Sequence, residues 1–467
     1  MTQAPRQGRS FDRSIVDGPI GSAVWKIAWP TMLQNLIGGL QGIVDHVMVG
    51  NFVGFTANAA IGVSWQIFLV VMVFIGSLFT GMGVMVARFA GANEPDKVDR
   101  TVYQAFITSA AISLGILAPA GYFLAPSLLE LVNAAPEVQA EALPYIRIMF
   151  LFSFGMMAFF MLGAALRSAG DARTPLRLGI LLTALNLVFN VILIRGFGPI
   201  PAFGTKGAAM GTVLAGGVMF LVAIFALTRG RWVIGFHRGM SLMPDWSIIR
   251  ELFRFGLPAG FQGVAMNIGG VLMLRFIGSL AESAEAQAAF AVGYTELFSL
   301  ITWTSVGLMG ATAAIAGQNL GAGNPDRVVA SARVASRIGL LVAAIVGLLF
   351  LAIPKQLLGA FGMDDPVVLE IGLQLLAFLS ASGFFITVAL VYTGGLQGTG
   401  DTRSPLYISL VSQLAVPLGF CWLIQTFGVL RPHHIWLAIL LGHMMRCALS
   451  VFRFRQGEWR HIEVRIS

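Results

Sequence analysis

Long uncharged apolar stretches recur along the chain, and each is bounded by single charged residues. Clear examples are Leu178–Ile194, Ile338–Pro354 and Ser404–Leu430. A helix needs roughly 20 apolar residues to cross the bilayer core. The alternation of polar and apolar residues that is typical of membrane strands is missing from these stretches. Because only helices and closed barrels satisfy their backbone inside a membrane, the pattern predicts an all-α integral membrane protein.

Breaks between the apolar stretches divide the chain into twelve predicted transmembrane helices. The breaks contain Gly, Pro, Asn and charged residues, as at Gly91–Pro95 and Asp364–Pro366. The predicted ranges are 20–50, 57–87, 98–126, 137–163, 174–196, 204–228, 247–278, 285–316, 328–352, 367–396, 404–428 and 433–455.

Composition supports this class. Hydrophobic residues make up 57% of the 467 positions and charged residues 11%, and the mean hydropathy is +0.80. A soluble chain carries about a quarter charged residues. Cys421 and Cys447 lie inside apolar spans, which favours small core residues over a disulfide or a metal pair. Met1–Asp17 is polar and no short apolar segment with a cleavage site follows, so we predict no cleavable signal peptide.

The positive charges predict the orientation of the helices, because Lys and Arg accumulate in cytoplasmic loops. Most of the 30 Lys and Arg residues fall on one side of the predicted bundle. The other side keeps only Arg147, Arg195, Lys206, Arg275, Lys355 and Arg431. We therefore predict a multi-pass protein of the inner (cytoplasmic) membrane with both termini cytoplasmic. Anionic lipid accounts for the net charge of +8, and no nucleic-acid partner is required.

The chain contains an internal repeat. Leu166–Leu176 is echoed by Leu396–Leu406, and Gly91–Lys97 is echoed by Gly321–Arg327 with the same shift of 230 residues. Since six helices separate the copies, both halves enter the membrane from the same side, as in parallel repeats. The predicted domains are a cytoplasmic tail (1–19), a six-helix N-terminal lobe (20–228), a cytoplasmic linker (229–246), a six-helix C-terminal lobe (247–455) and a second tail (456–467).

Several motifs in this order and spacing carry a family resemblance over almost the whole chain. They are Pro30 with Gln34-Asn35, Val44-Asp45 with Val49-Gly50, the loops at 170–175 and 400–405, Gly204–Thr212, and Gly317–Gly323. In these motifs the chain resembles the multidrug and toxic compound extrusion (MATE) family, and it is closer to the DinF-like branch. The resemblance implies an antiporter that exports amphipathic, often cationic compounds in exchange for H⁺ or Na⁺.

Four polar residues form the predicted ion-coupling site. Asp45, Asn190 and Thr212 lie at a similar depth near the outer ends of their helices, and Asn186 shares a helix face with Asn190. An ionised Asp at the bilayer centre costs about 2.5–3.5 kcal/mol, so such a residue needs a functional or pairing reason. The set resembles the ion site of the family, except that Asn190 replaces an aspartate that some relatives carry.

Three interpretations of these four residues remain open. Burial favours the neutral form of a carboxyl group, so Asp45 is suited to carry one proton, which we prefer. Oxygen atoms of Asp45, Asn186 and Thr212 are also suited to bind Na⁺ weakly. The third interpretation is a structural hydrogen-bond cluster between helices.

Other polar residues inside the spans are candidates for a substrate cavity. Gln34, Asn35 and Gln66 either line the cavity or join helices. Glu296 is the second intramembrane acid, and it either serves substrate or proton binding, pairs with a neighbour, or lies at the outer water interface.

The sequence contains no phosphate-binding Gly-x-x-x-x-Gly-Lys-Ser/Thr motif and no nucleophile–base or metal-ligand pattern. We therefore predict a monomeric secondary transporter of small molecules in a lipid bilayer, without ATP, a resident cofactor or enzymatic activity. The main rival is a lipid-linked precursor flippase, which shares the two-lobe architecture. Because a flippase moves a pyrophosphate head group, its cavity needs Arg or Lys, whereas the intramembrane charges predicted here are acidic.

Overall fold

The computed structural model describes residues 11–132, 135–236, 240–241, 243–464 and 466, and it is built from twelve long helices. Arg6, Arg9, Arg238 and Arg465, which the charge pattern places on the cytoplasmic side, lie outside the described residues. The twelve helices are α1 (Ile20–Phe52), α2 (Phe55–Gly91), α3 (Pro95–Leu131), α4 (Pro136–Phe152 with Phe154–Ser168), α5 (Arg173–Arg195), α6 (Thr205–Thr228), α7 (Trp246–Gly278), α8 (Ser283–Gly321), α9 (Pro325–Ala352), α10 (Pro366–Thr399), α11 (Arg403–Phe427) and α12 (Pro432–Gln456).

The helices are long and apolar enough to cross a membrane. Counted on the described residues, nine of them meet that condition singly and the bent pair in α4 makes a tenth. Helices α1 and α2 contain 33 and 37 residues and complete the predicted set of twelve. Short helices also occur at Ser14–Asp17, Pro354–Gly359 and Glu458–His461. The all-helical membrane fold is confirmed.

Local geometry departs from the prediction in two ways. Helix α4, predicted as one helix, bends by 53° at Ser153, where Gly155 packs closely on α6. Gly and Ser near a packing contact are a usual cause of such bends. Helices α3, α8 and α11 contain wider π-helical turns at Ser113–Leu117, Ala291–Leu297 and Leu410–Ala415. Hydropathy does not reveal a π-helical turn, because the apolar pattern continues through it.

Two compact units make up the fold, and the predicted lobe boundaries stay a prediction. The first unit is mainly Ile37–Leu257, with a core formed by α1, α2, α4 and α6. Within it, the segment before α7 is fastened to α3: the Asp99 carboxylate accepts a hydrogen bond from the Gly235 amide at 2.8 Å, and Asp245 pairs with Arg100. Burial acts to raise the pKa of Asp245, but hydrogen bonding by Ser247 and the Arg100 charge outweigh it and lower that pKa.

The second unit comprises Ser14–Leu36 and Pro258–Glu463. Its core lies among α8, α10 and α12 and includes the fully buried rings of Phe298 and Trp436. The Arg327 guanidinium holds the Ser14–Asp17 segment by donating to the Ile15 carbonyl at 3.3 Å and to the Gly18 carbonyl at 2.7 Å.

The repeated loops have the same local structure in both halves. Gly170 and Gly400 adopt φ angles of 98° and 99°, which are accessible to glycine without strain. One residue later, Asp171 Oδ1 accepts from the Thr174 amide at 3.0 Å, and Asp401 Oδ1 accepts from the Ser404 amide at 3.1 Å. Each aspartate thereby satisfies a free amide at the start of the next helix. The repeated motif is thus a helix-ending and helix-starting turn.

Candidate functional site

The four predicted ion-coupling residues form one hydrogen-bonded chain inside the first unit. Asn190 Nδ2 on α5 donates to Asp45 Oδ1 on α1 at 2.9 Å and to Asn186 Oδ1 at 3.2 Å. Asn186 Nδ2 continues the chain to Thr212 Oγ1 on α6 at 3.2 Å, and that hydroxyl donates to the Ala208 carbonyl at 3.0 Å. Three helices therefore meet through these polar groups.

Burial makes this chain of hydrogen bonds costly to disturb. Asn186 and Asn190 are each 1% exposed, while Asp45 and Thr212 are partly buried. A buried polar group that loses its hydrogen bond costs about 1–3 kcal/mol. The Asp45 carboxylate therefore has a fixed amide partner in a largely dry part of the unit.

The orientation of the Asn190 amide is informative. The Asn190 nitrogen donates the hydrogen bonds to Asp45 and Asn186, and its Oδ1 is buried with no hydrogen-bond partner among the described residues. An amide nitrogen that points at a carboxylate stabilises the charged carboxylate and is unable to ligate a cation. Asn190 thus acts as a donor toward Asp45, and it has a spare acceptor oxygen on its other side.

Close packing of α5 on α6 brings this oxygen into its position. A Cβ atom at Gly211 would overlap Asn190 Oδ1, and a Cβ at Gly207 would overlap the Leu193 carbonyl oxygen. Glycines four residues apart let helix backbones approach closely in membranes. The Gly207–Gly211 pair is therefore what allows the backbone of α6 to pack against Leu193 and Asn190 of α5.

The structure adds two contacts that sequence analysis missed. Thr183 Oγ1 on α5 donates to Gln41 Oε1 on α1 at 2.7 Å, so a second polar bridge joins these helices about one helical turn from Asp45. Tyr145 on α4 is 5% exposed and interacts electrostatically with Asp45. The four-residue spacing from Gln41 to Asp45 is a signal for a shared helix face, but nothing in the sequence shows that α4 contributes Tyr145.

The four cavity candidates are divided between the two compact units. Gln34 and Asn35 belong to the second unit, where Asn35 Nδ2 donates to the Thr31 carbonyl of its own helix at 2.9 Å. Gln66 belongs to the first unit and is exposed on α2. Glu296 is partly buried in the π-helical turn of α8, and Ser299 Oγ donates to its carbonyl oxygen. Their role in substrate binding stays a prediction.

The second unit also buries cationic and aromatic groups that sequence analysis assigned no role. Arg446 and His443 on α12 are each 2% exposed, and Arg446 Nη1 and His443 Nδ1 have no hydrogen-bond partner among the described residues. The rings of Tyr294, Phe298 and His443 lie in series, with centroid distances of 5.5 and 5.8 Å. The charge pattern counted Arg446 with the cytoplasmic cations, whereas the structure places its side chain in the interior of the unit.

The hydrogen-bonded chain around Asp45 contains one acidic side chain. Within the described part of the chain, no three His, Cys, Asp or Glu side chains lie close enough together to hold a metal ion. The oxygens of Asp45 and Asn186 both face the Asn190 NH₂ group, whose hydrogens repel a cation.

Fold, helix length and apolar character together define a multi-pass helical membrane transporter, and comparison with known proteins identifies its family. A family model described as MatE matches residues 30–192 and 258–423, which is more than half of the chain. The two matched segments begin at Pro30 and Pro258 and cover the two copies of the internal repeat. The chain belongs to the MatE family of transporters, which are not enzymes.

Similar curated proteins and solved structures extend over nearly the full length. The chain is 26% identical over 438 residues to a Thermotoga maritima protein named "Probable multidrug resistance protein NorM", covering 93% of this chain and 92% of that one. It is 25% identical to the multidrug resistance protein MdtK of Pectobacterium atrosepticum, covering 92% and 94%.

The structural match concerns the fold. An outward-facing multidrug resistance MATE family transporter aligns with a TM-score of 0.87 at 20% identity, covering 98% of this chain and 100% of that one. A MOP superfamily transporter from Pyrococcus furiosus aligns with a TM-score of 0.85 at 21% identity, covering 98% of this chain and 100% of that one. The twelve-helix, two-lobe fold is confirmed by these structures.

Proposed function

We propose that this transporter exports amphipathic, mainly cationic compounds in exchange for protons, from the inner membrane, with both termini in the cytoplasm. The names of its relatives, multidrug resistance proteins NorM and MdtK, support drug export. Alternating access of two lobes is part of the proposal, and the parallel internal repeat supports it.

The observation that carries the proposal is the chain from Asp45 through Asn190 and Asn186 to Thr212. It contains one carboxylate, held by an amide donor from a neighbouring helix. An intramembrane acid at a helix interface is a functional site by default. Asp45 is therefore the residue proposed to take up and release the coupling proton.

Protonation changes the hydrogen bonding around Asp45 in a defined way. The ionised carboxylate accepts from Asn190 Nδ2, while a protonated carboxyl also has a proton to donate. Rotation of the Asn190 amide would turn its unpartnered Oδ1 toward that proton. Each protonation state of Asp45 thus favours one amide orientation, so that proton uptake alters the contact between α1 and α5.

Efflux from cells tests the proposal. Ethidium export is measured from cells that express the wild type, Asp45→Asn, or Asp364→Asn, which removes an acid in the exposed loop before α10. A pH gradient and a Na⁺ gradient are imposed separately, and the amount of folded protein is checked by size-exclusion chromatography. We expect efflux by the wild type and Asp364→Asn to follow the pH gradient and efflux by Asp45→Asn to be lost.

Three results would contradict the proposal in different ways. Efflux that follows only the Na⁺ gradient would support the export function but would show that the coupling ion is Na⁺ and not H⁺. Efflux by Asp45→Asn equal to that of the wild type would remove Asp45 from coupling. Absence of cationic-compound efflux by the wild type under both gradients would favour the flippase.

A further inference from the structure

A basic cavity lies at the end of the second unit where α9 begins and α12 ends, far along the chain from the residues around Asp45. Its volume is about 450 Å³, within the range of small-ligand sites. Its lining includes Arg333 on α9, Tyr392 on α10 and Arg455 at the end of α12, followed by Trp459, Arg460 and His461. All of these residues belong to the same compact unit.

Packed aromatic rings form one side of this cavity. Trp459 is 1% exposed, its Nε1 donates to the Phe454 carbonyl at 2.8 Å, and the two rings stack at 5.1 Å. Tyr392 packs edge-on against Phe454, also at 5.1 Å. Gly457, with φ of 78°, ends α12, and the Glu458–His461 turn that follows lines the cavity.

The polar groups of the cavity are mostly cationic, and two of the cations have no hydrogen-bond or ion-pair partner among the described residues. Arg460 contacts Asp326 at 3.3 Å and lies over the Trp459 ring, and Glu458 is the one acid in the lining. Arg333 and Arg455 form no hydrogen bond or ion pair with any other described residue, and neither does the Tyr392 hydroxyl. Both guanidinium groups are within electrostatic reach of that hydroxyl. Two arginines and a hydroxyl that converge on one cavity match the oxygens of a phosphate group.

The basic character is specific to this half of the molecule. Under the 230-residue shift of the internal repeat, Val329 and Arg333 correspond to Asp99 and Tyr103. The cavity beside those two residues has a volume of about 490 Å³, and its charged lining is Asp96, Asp99, Asp245 and Arg100. The internal repeat therefore does not account for the presence of Arg333 and Arg455 in this cavity.

We infer that this cavity binds the phosphate group of an anionic ligand, with Arg333, Arg455 and the Tyr392 hydroxyl as its direct contacts. Two sources offer this chemistry, a phosphodiester headgroup of an anionic membrane lipid and a free phosphate compound. Basic pockets beside membrane helices favour lipid headgroups where the leaflet is anionic. Tyr392 lies about two helical turns before the end of α10, so the cavity is at the level where headgroups are found.

Ligand-dependent thermal unfolding of the purified full-length protein in neutral detergent tests the inference and does not depend on transport. The probes are dioctanoyl phosphatidylglycerol, dioctanoyl phosphatidylcholine and glycerol phosphate. The test variants are Arg333→Gln with Arg455→Gln, and Tyr392→Phe, which removes only a hydroxyl. The matched control is Arg337→Gln with Arg403→Gln, which removes two exposed cations that do not line the cavity.

We expect phosphatidylglycerol to raise the unfolding temperature of the wild type and of the control, and phosphatidylcholine to have no such effect. The loss of two charge-assisted hydrogen bonds corresponds to at least a roughly tenfold weaker affinity in the double-arginine variant, and Tyr392→Phe should be intermediate. Stabilisation by glycerol phosphate as well would assign the site to free phosphates, while its absence would assign it to lipids. Equal phosphatidylglycerol affinity in the double variant and its control, or equal stabilisation by phosphatidylcholine, would overturn the inference.

Discussion

At the scale of single residues, the coupling that we propose depends on which atom of Asn190 faces Asp45. The amide nitrogen donates to the carboxylate at 2.9 Å, so one negative charge is held without a second acid. Asparagine carries an NH₂ group where aspartate carries a second carboxylate oxygen, so the Asp45–Asn190 pair contains one acidic group.

Introducing a second carboxylate beside Asp45 should raise the pH at which transport operates. In Asn190→Asp, two carboxylates about 3 Å apart cannot both ionise easily, so one proton is held to higher pH. We expect the pH optimum of efflux to move upward by about one unit or more, as measured by ethidium export across a pH series. The swapped variant Asp45→Asn with Asn190→Asp keeps one carboxylate and serves as the control. An unchanged optimum in Asn190→Asp would show that the two side chains do not share a proton.

At the scale of helices, the site depends on how closely α5 and α6 pack. Gly207 and Gly211 bring the backbone of α6 against Leu193 and Asn190, beside the hydrogen bond that Asn190 donates to Asp45 on α1. Composition and hydropathy predict both helices with ends close to those observed. They do not predict the close approach, because a glycine in an apolar helix is equally compatible with a lipid-facing surface.

A methyl group at Gly211 should therefore damage the site, whereas one at Gly217 should not. A Cβ at Gly211 overlaps Asn190 Oδ1, while a Cβ at Gly217 on the same helix meets no described atom within 4 Å. We expect Gly211→Ala to lower stability by about 1–3 kcal/mol through overpacking and to reduce pH-driven efflux. Gly217→Ala should be neutral or stabilising by up to about 1 kcal/mol. Thermal unfolding in detergent and the efflux assay measure both, and similar behaviour of the two variants would contradict this packing argument.

At the scale of the whole molecule, the internal repeat determines which ends of the helices share a side of the membrane. The turns before α5 and α11 are built alike, from a glycine in the left-handed region and an aspartate that caps the next helix. In a parallel repeat both turns face the same compartment, whereas in an inverted repeat they face opposite compartments.

Cysteine labelling distinguishes these arrangements. In a background with Cys421→Ser and Cys447→Ser, we expect single cysteines at Arg173 and Arg403 to react with a membrane-impermeant maleimide only after the cells are opened. A cysteine at Lys206, on the side with few cations, should react in intact cells. Labelling of Arg173→Cys and Arg403→Cys from opposite sides would contradict the parallel repeat, and labelling of both in intact cells would invert the proposed orientation.

The sequence by itself determined the class, the twelve helices, the repeat and the set of four residues around Asp45. Hydrophobicity, breaks and charge act locally along the chain, so a single sequence displays them directly. Tertiary structure decided which way the Asn190 amide points, that Tyr145 and Gln41 lie nearby, that Arg446 is interior, and that Arg333 and Arg455 meet Tyr392. Each of these depends on contacts between residues distant in the chain, which are set by helix packing and which no local pattern specifies.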